Sequence, residues 1–338
     1  MNIVNKINLV KSAYPHLFKN FPKTVKIVEV SPRDGLQNEK QFVPTETKIN
    51  LINKLSESGL KVVESTSFVS PKAIPQMADA VEVLKGINRI EGVSYPVLVP
   101  NVKGMETALK CNVEEIAVFG AASEAFTQKN IKCSIEESLK RFSDVIQMAK
   151  ENQIRVRGYV SCVMGCPYEG EIDPQNVQLV AQIMKDMGCY EISLGDTIGI
   201  GTPGIKFFQI ILLAEKTEIL FNTVKLERGM LAAHFHNTYD RAIQNLVVAL
   251  GVNIIVQISI QNGISVIDSS VAGIGGCPYA KGASGNVATE DVLFLLDLLG
   301  IEHGVDVHKL CQVGDYISKE LNRDNLAGVS SKDFEKII

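Results

Sequence analysis

The sequence predicts an α/β chain folded as a (β/α)8 TIM barrel, with a glycine-rich active-site loop after the eighth strand and a C-terminal extension. Three observations carry this. Short β-prone segments alternate with longer apolar-periodic ones, eight β-prone segments are present, and no Pro/Gly/Ser-rich linker divides the 338 residues. The expected boundaries are a leader or tail at 1–23, a barrel at 24–302 and a helical extension at 303–338.

The expected strands are 26–30, 61–66, 95–99, 115–119, 155–160, 190–194, 231–235 and 266–269. Apolar periodicity places helices at 46–58, 135–150, 176–187, 238–250 and 288–299. Alternation of this kind gives a parallel sheet, and eight units favour closure over an open doubly wound sheet. In such a barrel chemistry collects where strands end. The residues equipped for chemistry do follow the strands: Arg33 and Asp34, Glu64, Asp196, His234 and His236, and the loop carrying Cys277.

Composition excludes several classes. Hydrophobic residues make up 46% and mean hydropathy is +0.11, enough for a substantial core. A net charge of −4 and a pI near 5.8 offer no pull on a phosphate backbone, so nucleic acid is not an expected partner. Seven scattered cysteines indicate a reducing compartment. No run approaches the roughly 18 apolar residues of a membrane span, and no membrane partner is expected. The first acidic residue is Glu29, after a stretch in which Lys6, Lys11, Lys19 and Lys23 alternate with apolar residues. This suits a basic amphipathic leader addressed to the mitochondrial matrix, with a cytoplasmic chain and a loosely packed tail as the alternative.

His234-Phe235-His236 closes the seventh expected strand, where residues i and i+2 share a face and both imidazoles can converge on one point. Alone, such a pair serves equally as two histidines satisfied by carbonyls. With Asp34 after strand one and Asn286 after the glycine-rich loop, the set becomes a candidate metal centre with open positions. Lacking thiolates, it suits a divalent cation such as Mg2+ or Mn2+ better than structural zinc. Arg33 is placed to polarise a carbonyl or stabilise an enolate, or to form a buried ion pair. Glu64 lies among apolar neighbours and needs Arg33 or substrate as a partner. Asp196, in Gly195-Asp196-Thr197-Ile198-Gly199, handles a proton or caps the helix expected from Thr202-Pro203. Gly275–Asn286 is a lid carrying the Cys277 thiol, or a flexible turn with an incidental cysteine; Cys162 and Cys166 are read as incidental.

Five segments together resemble the 3-hydroxy-3-methylglutaryl-CoA lyase family: 29–40, Phe119-Gly120-Ala121-Ala122-Ser123-Glu124, Gly165-Cys166-Pro167-Tyr168-Glu169-Gly170, 193–199 and Gly276-Cys277-Pro278-Tyr279-Ala280. The resemblance runs from about Val25 to about Asn322, and the motif around Cys277 is the most specific of them. It implies metal-dependent retro-Claisen cleavage of (S)-3-hydroxy-3-methylglutaryl-CoA to acetoacetate and acetyl-CoA, as in ketogenesis and leucine degradation. By the same resemblance the metal is held by Asp34, His234, His236 and Asn286, and the catalytic residues are Cys277, Arg33, Asp196, Glu64 and His234. Arg33, Gln37, Lys40, Asn130 and Asn322 would bind the acyl-CoA substrate, and the chain would be a homodimer.

Two departures stand out. Asn237 follows the second histidine where the family commonly has aspartate, which predicts weaker support for the imidazoles. Val252–Gln261 is an apolar, uncharged, β-prone insertion before strand eight, of a composition unlike a surface loop and with the codon possibilities of a short retained intron or gene-model error. The alternatives are a related metal-dependent acyl-CoA condensing enzyme or aldolase, which would lack the Cys277 motif, and a barrel silenced by the insertion.

Overall fold

The computed structural model describes residues 21–202, 216–227, 229–250, 263–276 and 285–335. Among the described residues nine parallel strands make one sheet: β1 (Lys26–Glu29), β2 (Val62–Val63), β3 (Thr66–Ser67), β4 (Val97–Leu98), β5 (Glu115–Ala121), β6 (Arg155–Ser161), β7 (Glu191–Asp196), β8 (Leu231–Phe235) and β9 (Val266–Ser269). Their order is β2-β1-β9-β8-β7-β6-β5-β4-β3.

Nine strands form eight staves, because the single strand expected at 61–66 is split into β2 and β3. The lower half pairs with β1 and the upper half with β4. Between them, Glu64 N–H donates to Glu29 O at 2.8 Å and Ser65 N–H to Pro96 O at 2.9 Å, so this one stave bonds to both neighbours and closes the barrel. The strand expected at 190–194 extends to Asp196, which is therefore the last residue of β7 and not a loop residue.

The helices are α1 (Thr45–Glu57), α2 (Ala80–Gly86), α3 (Val102–Leu109), α4 (Glu124–Ile131), α5 (Ile135–Glu151), α6 (Pro174–Met187), α7 (Lys216–Thr223), α8 (Ala242–Ala249), α9 (Thr289–Leu299), α10 (Val307–Glu320) and α11 (Ser331–Phe334). Local chemistry fixes their ends. Ser134 and Glu137 form a capping box on α5, Asp173 caps α6 with Pro174 at its first position, and Gly188 and Gly300 end α6 and α9 in the left-handed conformation.

The helix expected at 238–250 starts four residues late, at Ala242. Asn237 is the reason: its Oδ1 accepts the Ala242 N–H at 3.1 Å, while Asp240 sits at φ 55° in the turn before the helix. The α10 helix of the extension packs on α1 and on a short 3-10 turn, Val271–Gly273, that follows β9. Thr202 is the last described residue of its segment, so the helix expected from Thr202-Pro203 lies outside the described residues, as do most of the 1–23 leader and the insertion Val252–Gln261.

Candidate metal centre and active site

Arg33 and Asp34 sit on a single π-helical turn, Ser31–Gly35, directly after β1. The amides of Arg33, Asp34 and Gly35 all point at the Val30 carbonyl, at 3.2, 2.8 and 3.1 Å, and this tight turn aims both side chains over the barrel mouth. His234 is on β8 and His236 just beyond it, joined to Asn286 by an isolated antiparallel bridge. That bridge draws the residue after the glycine-rich loop against the second histidine. Gly275 and Gly285 make the approach possible, since a Cβ on Gly285 would lie 2.6 Å from the Gly275 backbone.

Together these elements form one cluster. Asp34, His234 and His236 each offer a ligand atom, and these atoms lie within 4.8 Å of one another. Asp34 Oδ1 accepts from Arg33 Nη1 at 2.7 Å and Gln37 Nε2 at 2.9 Å; Oδ2 accepts from Asn286 Nδ2 at 2.8 Å and is 3.7 Å from His234 Nε2. Burial raises the Asp34 carboxyl, but Arg33 and the two imidazoles outweigh it and hold the group below the usual range. For His236, burial and the neighbouring His234 push the imidazole down to about 4, so it is neutral and able to ligate at pH 7.

Glu64 pairs with Arg33, as its apolar setting requires: Oε2 accepts from Nε at 2.9 Å and lies 2.7 Å from Nη2. Tyr159 O–H donates to the same oxygen at 3.0 Å, and its ring lies 5.2 Å from the Arg33 guanidinium. Burial disfavours the charged form of Arg33, but Glu64 and Asp34 outweigh it and hold the guanidinium above its usual range. Two buried atoms beside this network have no hydrogen-bond partner, His236 Nδ1 and Glu64 Oε1. Unpaired buried acceptors cost about 1–3 kcal/mol each, a cost that ligands can offset. A clustered carboxylate and two imidazoles, with an orphaned imidazole nitrogen among them, fit a divalent cation.

A cavity of about 370 Å3 opens onto the cluster. Arg33, Asp34, Gln37, His234 and His236 line its polar part, and Phe119, Phe126, Ile131 and Phe142 its apolar part. Asn130, on α4, lines the cavity as well. Lys40 and Asn322 are exposed and do not line it. Their neighbours Glu39 and Arg323 pair at 2.7 Å, which sets both near the same edge of the mouth. Cys277 lies outside the described residues; Gly276, immediately before it, lines the cavity, and its carbonyl accepts from Asn38 Nδ2 at 2.9 Å.

Asp196 lies at the C-terminal end of β7. Gly195 pairs in register with His234, and Asp196 with Phe235, so Asp196 shares the outward side on which Phe235 meets Phe221 of α7. Its carboxylate accepts the N–H groups of Ile200 at 3.1 Å and Gly201 at 2.7 Å. These bonds hold the loop after β7, and the helix that Asp196 was expected to cap lies outside the described residues. The Asn237 side chain is used in the turn before α8, where Oδ1 accepts the Ala242 N–H and Nδ2 donates to Asp240 Oδ1 at 3.3 Å.

A layer of charged residues beneath the cluster escaped the sequence. Arg157 (β6) forks onto Asp268 (β9), with Nη1–Oδ2 at 3.1 Å and Nη2–Oδ1 at 2.5 Å, and its Nε reaches Glu191 (β7) at 2.5 Å. Lys26 bonds the other Glu191 oxygen at 2.6 Å. Alternation puts these side chains inside the barrel, but residues within strands give no local sign of partners as much as 165 positions away.

Fold and site define a (β/α)8 barrel with a metal-binding mouth, built from an Arg-Asp turn after the first strand and a His-x-His pair on the seventh stave. Residues 24–317 match the model of the HMGL-like family. The chain is 55% identical over 310 residues to the mitochondrial hydroxymethylglutaryl-CoA lyase of Gallus gallus, covering 92% of this chain and 98% of that one. The crystal structure of hydroxymethylglutaryl-CoA lyase from Pseudomonas aeruginosa superposes with a TM-score of 0.84 at 50% identity, over 94% of this chain and 99% of that one. A lyase structure from Acinetobacter baumannii, in complex with coenzyme A and 3-methylmalate, gives 0.80 at 32% identity, over 90% and 94%. The chain belongs to the hydroxymethylglutaryl-CoA lyase family.

Proposed function

We propose that this chain cleaves (S)-3-hydroxy-3-methylglutaryl-CoA to acetoacetate and acetyl-CoA in a divalent-metal-dependent retro-Claisen reaction. The carrying observation is the convergence of Arg33, Asp34, His234 and His236 on one cavity in a chain with these relatives. Asp34, His234, His236 and the amide oxygen of Asn286 would hold the cation, Mg2+ or Mn2+ by its oxygen and imidazole donors. When bound, the cation supplies a Lewis acid that lowers the cost of removing the tertiary hydroxyl proton.

The chain's own groups do the rest, with the hydroxyl proton passing to Asp196, as the family resemblance implies, or to a water in the cavity. Cleavage of the C2–C3 bond sends an electron pair into the thioester, forming an enolate whose oxygen needs a fixed positive donor; Arg33, held cationic between Glu64 and Asp34, is that donor. Glu64 and Tyr159 keep the guanidinium from rotating away, and Gln37 steadies Asp34. Cys277, which follows the cavity residue Gly276, would protonate the enolate carbon to give acetyl-CoA. Asn130 at the cavity wall and Lys40 and Asn322 at its edge would meet the CoA part of the substrate. The proposed working unit is the barrel at 24–302 with its 303–338 extension, as a homodimer in the mitochondrial matrix.

The discriminating experiment offers the metal-loaded chain either the lyase substrate or the partners of the related chemistry, an acyl-CoA with a 2-oxo acid. Cleavage of the former without condensation of the latter supports the lyase. The reverse pattern would assign the chain to the related condensing enzymes.

A further inference from the structure

His234 is held from both ends of its ring. Its Nε2 faces Asp34 Oδ2 at 3.7 Å, on the metal side. Its Nδ1 faces Asp268 Oδ2 at 3.2 Å, on the core side, and the ring meets Tyr159 edge-on at 5.9 Å between centroids. The β8–β9 register places His234 directly beside Asp268, so both side chains enter the barrel at one level.

Asp268 is buried and saturated with donors. Arg157 supplies two through its fork, and Ser193 Oγ donates to Oδ2 at 2.7 Å. A carboxylate bonded by a guanidinium fork can only accept. The hydrogen between Asp268 and His234 must therefore belong to Nδ1, so that in the neutral ring the lone pair is on Nε2.

We propose that Asp268, braced by Arg157 and Ser193, is the positioning residue that fixes His234 as its Nδ1–H tautomer and so makes Nε2 the ligating atom of the metal centre. The inference rests on the metal-centre assignment and adds the layer beneath it that determines which nitrogen is available. Carboxylates behind ligating imidazoles fix ring tautomer and orientation, and their loss typically weakens metal affinity by about 10–100-fold. It also narrows the role of His234. With one nitrogen donating to Asp268 and the other ligating, the ring has no lone pair left to take a substrate proton, so His234 acts as ligand and not as base.

The test has two arms. Nitrogen-15 NMR of the metal-free parent chain reads the tautomer directly; with five histidines in the sequence, single-histidine replacements assign the signal. The spectra are taken at a pH high enough that the imidazoles are neutral, and the expected result is a hydrogen on Nδ1 and none on Nε2 of His234. A neutral ring carrying its hydrogen on Nε2 would overturn the proposal. The second arm measures Mn2+ affinity of the parent and of Asp268→Asn, whose amide can donate to Nδ1 and turn a hydrogen toward the cation. The variant should bind Mn2+ about 10–100-fold more weakly while melting as a folded protein. A folded Asp268→Asn that binds Mn2+ as tightly as the parent would overturn the proposal. If the variant fails to fold with Arg157 unpaired, the tautomer of the parent decides alone. Failure of the parent to bind Mn2+ would instead sink the metal-centre assignment, and is told apart because the tautomer is read without metal.

Discussion

Arg33 touches both carboxylates of the mouth, Glu64 through Nε and Nη2 and Asp34 through Nη1. A lysine could keep the charge but not this three-way geometry. Replacing Arg33 with Met should lower kcat by about 10^2–10^3-fold, the scale of losing one preorganised donor to a developing oxyanion, with a smaller change in KM; steady-state kinetics check it. An unchanged kcat would reduce Arg33 to a structural ion pair. Arg33, Asp34 and the His-x-His pair were legible because polar residues at the ends of apolar strands are conspicuous. Arg157 and Asp268 were not, because each sits inside a strand and makes sense only beside the other. Asp196 was legible as a strand-end carboxylate, but its bonds to the Ile200 and Gly201 amides were not, because they depend on the path of the chain after β7.

Among the elements, the short turn Val271–Gly273 at the base of the glycine-rich segment is held by two buried carboxylates. Glu29 accepts the Val271 N–H at 3.0 Å, and Glu290 takes the Ala272 N–H on both oxygens, at 3.1 and 3.0 Å, with Ala272 at φ 56°. Burial pushes the Glu290 carboxyl up to about 8 from its ordinary 4.5. A folded value above the unfolded one means the native state holds the extra proton, so this contribution to stability is full below about pH 4.5 and lost as pH rises through about 8. Glu290→Gln should therefore flatten the loss of stability between pH 5 and 8, a difference of roughly 2–5 kcal/mol at the upper end, read by denaturant unfolding at several pH values. Parallel slopes in parent and variant would contradict it. At α5, Ser134→Ala removes the capping box and should cost about 1 kcal/mol, measurable in the same assay. The five helices placed from periodicity were readable to within a few residues, whereas the short ones at 80–86, 102–109, 124–131 and 216–223 were not placed. The split of one stave into β2 and β3 was not, since it follows from closing the barrel and leaves no local mark.

At the scale of the whole molecule, the eight-stave barrel was predictable from alternation alone, and the insertion before β9 is the open element of the chain. Its flanks are described and lie together: Ile264 N–H donates to Ala249 O at 3.0 Å. Deleting Val252–Gln261 would make this a bond between residues five apart, with Gly263 one before Ile264, the arrangement of a helix closed by a Schellman motif. The connection lies at the N-terminal end of the strands, away from the metal cluster. The deletion variant should fold, melt no lower than the parent and keep its kcat, as thermal unfolding and kinetics would show; a variant that fails to fold would make the inserted residues part of the barrel.

The central claim is tested most directly by metal-dependent release of acetoacetate and acetyl-CoA from 3-hydroxy-3-methylglutaryl-CoA. The chain is stripped with a chelator, then reloaded with Mg2+ or Mn2+, beside a Cys277→Ala variant. Equal amounts of the two products should appear with the metal-loaded parent, vanish without metal, and fall by at least about 10^2-fold in the variant, as expected for loss of a general acid. A folded, metal-loaded parent that leaves the substrate intact would contradict the account.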